Sequence, residues 1–151
     1  MCDQASADFT FDRHTKIIHI SYQNDFHISN DSELRQYFSH VTEYLDTIKQ
    51  YGELHIVVDI SNFIIEPDLA GTYAELVDIL TKKYLHKDGI ARYGYQITRI
   101  TLKRAYEEHL ERNPNIFRTK SEAYKYIASI STTETNQDWI ETTSSLMARP
   151  F

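Results

Sequence analysis

The chain has 151 residues, 22 Asp and Glu against 16 Lys and Arg (formal net charge −6), and one cysteine, Cys2. That length fits one domain with a core that needs no staples, and a lone cysteine excludes an internal disulfide. The acidic balance without a run of Lys and Arg argues against nucleic acid, no stretch nears the ~20 apolar residues of a membrane span, and the first twenty residues lack a secretion signal's basic start and apolar run, so a cytoplasmic protein is expected.

Residues 1–7 are small and polar and read as a flexible N-terminus, with the domain proper over 8–130 and a polar tail over 131–151. Phe9 and Phe11 alternate with Thr10 and Asp12, Asp12 to Thr15 reads as a turn, and Lys16 to Tyr22 alternates again, which predicts a hairpin. His19 lies in its second strand. A zinc reading would pair it with His14 or His27, but no cysteine or second histidine at helical spacing supports it, and a partly exposed strand histidine is the reading kept. Asn30 and Glu33 are spaced as a capping box, and Leu34, Tyr37, Phe38, Val41, Tyr44, Leu45 and Ile48 form the apolar stripe of a helix that Gly52 stops.

Leu54 to Ile60 is a nearly unbroken apolar run with Asp59 near its exit, as in a central parallel strand, and Ser61-Asn62 forms the exit loop. Phe63-Ile64-Ile65-Glu66-Pro67 reads as a connection, its apolar trio either a partner surface or packed over one end of the sheet. Asp68 is placed as N-cap or first-turn residue of a helix that buries Leu69, Tyr73, Leu76, Val77, Leu80 and Tyr84. Lys82, Lys83 and His86 then complement its dipole, and Asp88-Gly89 ends it. Ile90 to Ile97 reads as a strand in which Gly94 marks a bulge or a close backbone approach. Thr98 caps a helix through Ile100, Leu102, Ala105, Tyr106 and Leu110 to Asn113-Pro114. Asn115 to Arg118 is a short strand, and Thr119 with Glu122 opens a last helix through Ala123, Tyr124, Ile127 and Ile130. In the tail, Gln137 to Met147 carries Trp139, Ile140, Leu146 and Met147, enough to dock as a short segment on the body or on a partner.

This order predicts an α/β fold: a small, mostly parallel sheet with an N-terminal hairpin and about four covering helices. Four glycines, at 52, 71, 89 and 94, cannot build a dinucleotide fingerprint or a P-loop, and neither a Gly-x-Ser-x-Gly elbow nor a His-Glu-x-x-His pair occurs. No cofactor, no metal and no enzymatic activity are therefore expected. Asp59 is the best-placed lone acid for an enzyme, although a strand-end carboxylate bonded to loop amides is the commoner outcome. Ligands of open parallel sheets lie beyond the carboxyl ends of the strands. That end should carry Ser61, Asn62, Asp68, Tyr95, Gln96, Thr98, Arg99, Arg118 and Thr119, with the two arginines either anchors for an anionic group or, the reading preferred, plain solvated surface residues.

The element order, the Val57-Val58-Asp59-Ile60-Ser61 strand end and the closing run from Asn113-Pro114-Asn115 to Tyr126-Ile127 resemble the STAS-like domains of bacteria over residues 8–130. These include the anti-sigma-factor antagonists and their small SpoIIAA-like relatives. The resemblance implies a regulatory module that binds a protein partner, as monomer or homodimer. In the antagonists it also implies a phosphorylatable serine in an Asp-Ser-Ser-Gly pattern at the helix start after the strand. Here that neighbourhood reads Pro67-Asp68-Leu69-Ala70-Gly71, the nearest hydroxyl being Thr72, so the phosphoswitch does not carry over. Asp68 could mimic the modified state in part or serve as a plain cap. The SpoIIAA-like relatives resemble lipid-transfer domains, which implies as the alternative a carrier or sensor of a small apolar or amphipathic ligand between helices and sheet. Eleven tyrosines fit such a wall and fit a filled core equally.

Overall fold

Alternation with a period of two builds the first hairpin in the computed structural model, which describes residues 6–94, 98–109 and 115–130. β1 (Ser6–Asp12) and β2 (Ile17–Gln23) run antiparallel. Asp12 Oδ1 accepts from the amides of His14 (2.9 Å) and Thr15 (3.3 Å), and Lys16 closes the turn at φ 62. This is the local Asp chemistry that favours turns. β1 starts earlier than expected: Ser6 and Ala7, assigned above to the flexible N-terminus, pair with Gln23 and Tyr22.

The first helix, α1 (Asp31–Ile48), begins at the expected cap, with Asn30 Oδ1 accepting from Glu33 N at 2.9 Å. Glu33 Oε1 reaches back one residue further than a simple capping box, to Ser29 N at 2.8 Å. After a 3-10 turn, Lys49–Tyr51, Gly52 turns the chain at φ 99. β4 (Leu54–Asp59) follows and occupies the centre of the main sheet.

Two short strands that the sequence did not disclose flank this centre. β3 (Phe26–Ile28) and β5 (Phe63–Ile65) form a separate parallel pair, closed at its ends by Phe26 N to Asn62 O (2.8 Å) and Glu66 N to Ile28 O (3.3 Å). The apolar trio is therefore packed, with Phe63 at 0% exposure. Pro67–Leu69 then forms a 3-10 turn and α2 (Ala70–Tyr84) starts after it, with Leu69 in the cap position. Asp68 is thus not the N-cap of α2; Pro67 opens the tighter turn first and takes Asp68 into it.

The end of α2 also departs from expectation. The helix stops at Tyr84, and β6 (Leu85–Tyr93) begins at once, where the sequence had placed helix to Asp88-Gly89 and strand from Ile90. Leu85 pairs with Leu54 and Ile90 with Ile56, so five steps on β6 oppose two on β4 and His86 to Gly89 bulge out. His86 is consequently buried against His55 (ring centroids 5.5 Å apart) and does not cap a helix dipole, while Lys82 and Lys83 do lie in the last turn of α2. A Cβ on Gly89 would lie 3.0 Å from His86 O and 3.2 Å from Leu54 O, a fit that a larger residue would disturb.

α3 (Thr98–His109), β7 (Ile116–Phe117) and α4 (120–130) complete the described chain. The expected strand end at Ile97, helix stop at Asn113-Pro114 and tail over 131–151 lie outside the described residues. The main sheet has the order β1-β2-β4-β6-β7, parallel except for the first pair. One face, bearing Ile18, Ile20, Ile56 and Val58, forms a large core with side chains of α1, α2 and α3. Among the described residues, the other, bearing Ile17, Val57, Ala91 and Tyr93, packs against Ala123 and Ile127 of α4 and the partly buried residues around them. Among the described residues no helix is long and apolar enough to cross a membrane.

Candidate functional site

The exit of β4 is where parallel-sheet topology directs attention, and there the chain is tied down at every residue. Asp59 Oδ1 accepts from Ser61 N at 2.9 Å, the strand-end carboxylate bonded to a loop amide. Ile60 N donates to Tyr93 O (2.9 Å), Asn62 Nδ2 donates to Tyr22 O (3.1 Å), and Asn62 O accepts from Phe26. Ser61 and Asn62 are nonetheless exposed. The exit is a fixed polar edge linked to β2, β3 and β6.

Gly94 makes that edge close. It sits at φ 120 just after β6, and a Cβ there would stand 2.6 Å from Ser61 Oγ and 3.3 Å from Asp59 Oδ1. Only glycine fits, which answers the choice left open above in favour of a close approach. Gly94 N in turn donates to Phe117 O at 3.3 Å, which brings the end of β7 and hence Arg118 alongside.

Beneath this edge, on the α4 side of the sheet, a polar chain runs across three strands. His19 Nε2 lies 2.9 Å from Tyr93 Oη, and the Asp59 carboxylate is near enough for its charge to act on the Tyr93 hydroxyl. Burial, followed by the charge of Asp59 and by Tyr124, raises the Tyr93 hydroxyl well above its ordinary pKa, so it remains a donor and is not a base. Burial and the Lys120 ammonium lower the pKa of His19, against a smaller opposing pull from Asp59. Its ring lies 6.3 Å from that of Tyr124 in a stacked arrangement. The arrangement can orient hydrogen bonds and hold α4 in place. His19 was read above as a partly exposed strand histidine; alternation gives its face, but its meeting with Tyr93 two strands away depends on register.

Of the other expected site residues, Arg118 is exposed, and its amide and that of Thr119 donate to Glu122 Oε1 at 3.0 and 3.4 Å. Asp68 is exposed and Thr72 partly so, and both lie past β5, whose three residues span roughly 10 Å of extended chain beyond Asn62. They belong to the start of α2 and not to the exit loop. Thr98 and Arg99 open α3, but their side chains, like all of Tyr95 and Gln96, lie outside the described residues.

A cavity of about 30 Å³ lies among Tyr37, Val58, Tyr73, Val77 and Arg92, the space of one or two waters. Arg92, 2% exposed, donates through Nη2 to Tyr106 Oη (2.8 Å) and Tyr73 Oη (3.3 Å). Burial works against its charge, while Tyr106 and Tyr73 favour it and leave its pKa above the ordinary value. Tyr22 and Tyr37 share a 2.6 Å hydrogen bond beside it, and burial raises both hydroxyls. An arginine near the end of a strand gave no sequence signal of this burial. Among the described residues no group of three or more His, Cys, Asp or Glu could hold a metal. No protein-family model and no curated protein matches the chain.

Proposed function

We propose that the chain is a non-enzymatic regulatory module, STAS-like in type, that binds a protein partner through the exit of β4. The observation that carries this reading is the edge formed by Ser61 and Asn62: exposed, polar, and fixed by bonds to three strands before any partner arrives. A preorganised loop loses little entropy on binding, which is what a docking surface needs. Arg118 beside it offers a cation to an acidic group. The family's modified serine is absent, so recognition would be constitutive or set by the partner, with Asp68 in the turn before α2 and Thr72 in α2 as an outlying second contact. The carrier alternative draws less support from the described residues, where the cavity between helices and sheet, about 30 Å³, is an order of magnitude below the volume of a small-molecule site.

Affinity capture from the source organism, quantified by mass spectrometry, tests the reading. A defined protein should be retained by the wild type, lost with Ser61→Tyr, and weakened with Arg118→Glu and Asp68→Lys, each variant first shown to be folded. Retention that is indifferent to Ser61→Tyr and Arg118→Glu would sink it.

A further inference from the structure

The opposite end of the sheet gathers charges that the sequence scatters. Where β4 and β6 begin and α1 and α2 end, a cleft of about 380 Å³ is lined by Lys49, Gly52, Glu53, Lys82, Lys83 and Tyr84. That volume falls within the roughly 300–1,000 Å³ of small-molecule sites. Lys16 reaches the same wall from the hairpin turn, since a Cβ on Gly52 would lie 3.6 Å from its Nζ. Four lysines from three separate elements thus meet around one cleft in a chain of net charge −6.

Helix-dipole complementarity accounts for Lys82 and Lys83 in the last turn of α2, but not for Lys16 on the hairpin or for a cleft between them. The acids nearby do not lock the lysines. Lys49 and Lys82 pair with Asp46 (3.7 Å) and Asp78 (2.9 Å), each one turn back in the chain, and both ammonium ends are largely exposed. Such pairs are weak and screened by salt, so the ammonium groups can turn to a stronger anion. Asp46 is also held by Tyr84 Oη at 2.5 Å, and Lys83 lies 5.2 Å over the Tyr84 ring at the cleft wall. Glu53 is the acid within the lining itself, facing three lysines of that lining.

We propose that this cleft binds the phosphate group of a small phosphorylated ligand. A phosphate carries close to two negative charges and several acceptor oxygens, and lysines serve it as point charges without demanding the planar geometry of a guanidinium. A monocarboxylate would leave most of this charge unmet. The site lies at the far end of the sheet from Ser61 and does not rest on the partner-binding reading.

The full chain should be titrated with inorganic pyrophosphate by calorimetry and by amide NMR, and sedimented with phosphatidylcholine vesicles with and without phosphatidic acid. Saturable binding is expected, with amide shifts at Gly52 and Leu85, and about tenfold weaker in a Lys82→Gln/Lys83→Gln variant, whose changes are on the surface and keep the fold. Binding of pyrophosphate assigns a soluble ligand; binding only to vesicles with phosphatidic acid assigns a lipid headgroup. Binding of neither, binding that the double variant leaves within about twofold, or shifts confined to other parts of the chain would overturn the proposal.

Discussion

On one face of the sheet, α1, α2 and α3 enclose a core in which Phe63 meets Tyr22, Tyr73, Tyr37 and Phe26 at centroid distances of 4.8 to 6.1 Å. On the other, the described contacts come from α4, through Ala123, Ile127 and partly buried neighbours such as Tyr124. Among the described residues the first face buries the larger apolar cluster, and the second is held by fewer apolar groups together with His19, Tyr93 and Asp59. Proteins open locally where apolar contacts are few, so α4 is the element expected to detach before the rest unfolds.

The largest effect should come from the thick face. Phe63→Ala removes a fully buried ring from an aromatic cluster and is expected to cost about 3–5 kcal/mol in urea denaturation. Ile127→Ala, equally buried but on the thin face, should cost about 2 kcal/mol, at the low end for such truncations because α4 can settle into the space. Equal losses would remove the contrast.

The sequence disclosed the thick face better than the thin one, for a physical reason. The stripe from Leu34 to Ile48 repeats over about four turns and faces one way, and all of its members except Tyr44 are buried. β3 and β5 have three residues each, too short for a period to emerge from Phe26-His27-Ile28 or Phe63-Ile64-Ile65. The boundary at Tyr84 was hidden because Leu80, Tyr84 and Leu85 satisfy a helix and a strand alike, and only pairing with Leu54 decides between them. At the exit, Gly94 was legible as a bulge or a close approach, while its neighbour Ser61 was not, since a contact between two strand ends is a matter of register. Likewise the cation cleft joins Lys16, Lys49, Lys82 and Lys83, which are far apart in sequence and met only by folding.

A smaller effect, and a sharper one, comes from the matched caps of the two faces. α1 opens with Asn30 and Glu33, α4 with Thr119 Oγ1 accepting from Glu122 N at 3.2 Å and Glu122 returning to Arg118 and Thr119. Asn30→Ala and Thr119→Ala should each cost their own helix about 1 kcal/mol. The consequences should differ: hydrogen exchange should speed across the whole domain for Asn30→Ala, but over 120–130 alone for Thr119→Ala. Uniform acceleration in both would mean that α4 is not a separate unit.

The smallest effect is a pH dependence specific to the thin face. His19 has its pKa lowered by burial and by Lys120, with Asp59 pulling the other way, and Asp12 also faces this surface through Tyr124. A depressed histidine favours folding in its neutral form. Its contribution is complete above the unfolded pKa of about 6.5 and is lost as pH falls through the lower folded value, because the unfolded chain then binds the proton more readily. Acidification from about pH 7 towards pH 5 should therefore loosen α4, read as faster exchange at Ala123 and Ile127 with little change at Leu34 or Leu45. Since His19 is about half-buried, solvent screens the effect and keeps it below that of a cap substitution. Lys120→Gln removes one of the two influences that lower the pKa and should shrink this slope; His19→Gln should abolish it. A slope that survives His19→Gln would assign the sensitivity to another group and leave the polar chain with Tyr93 a purely positional role.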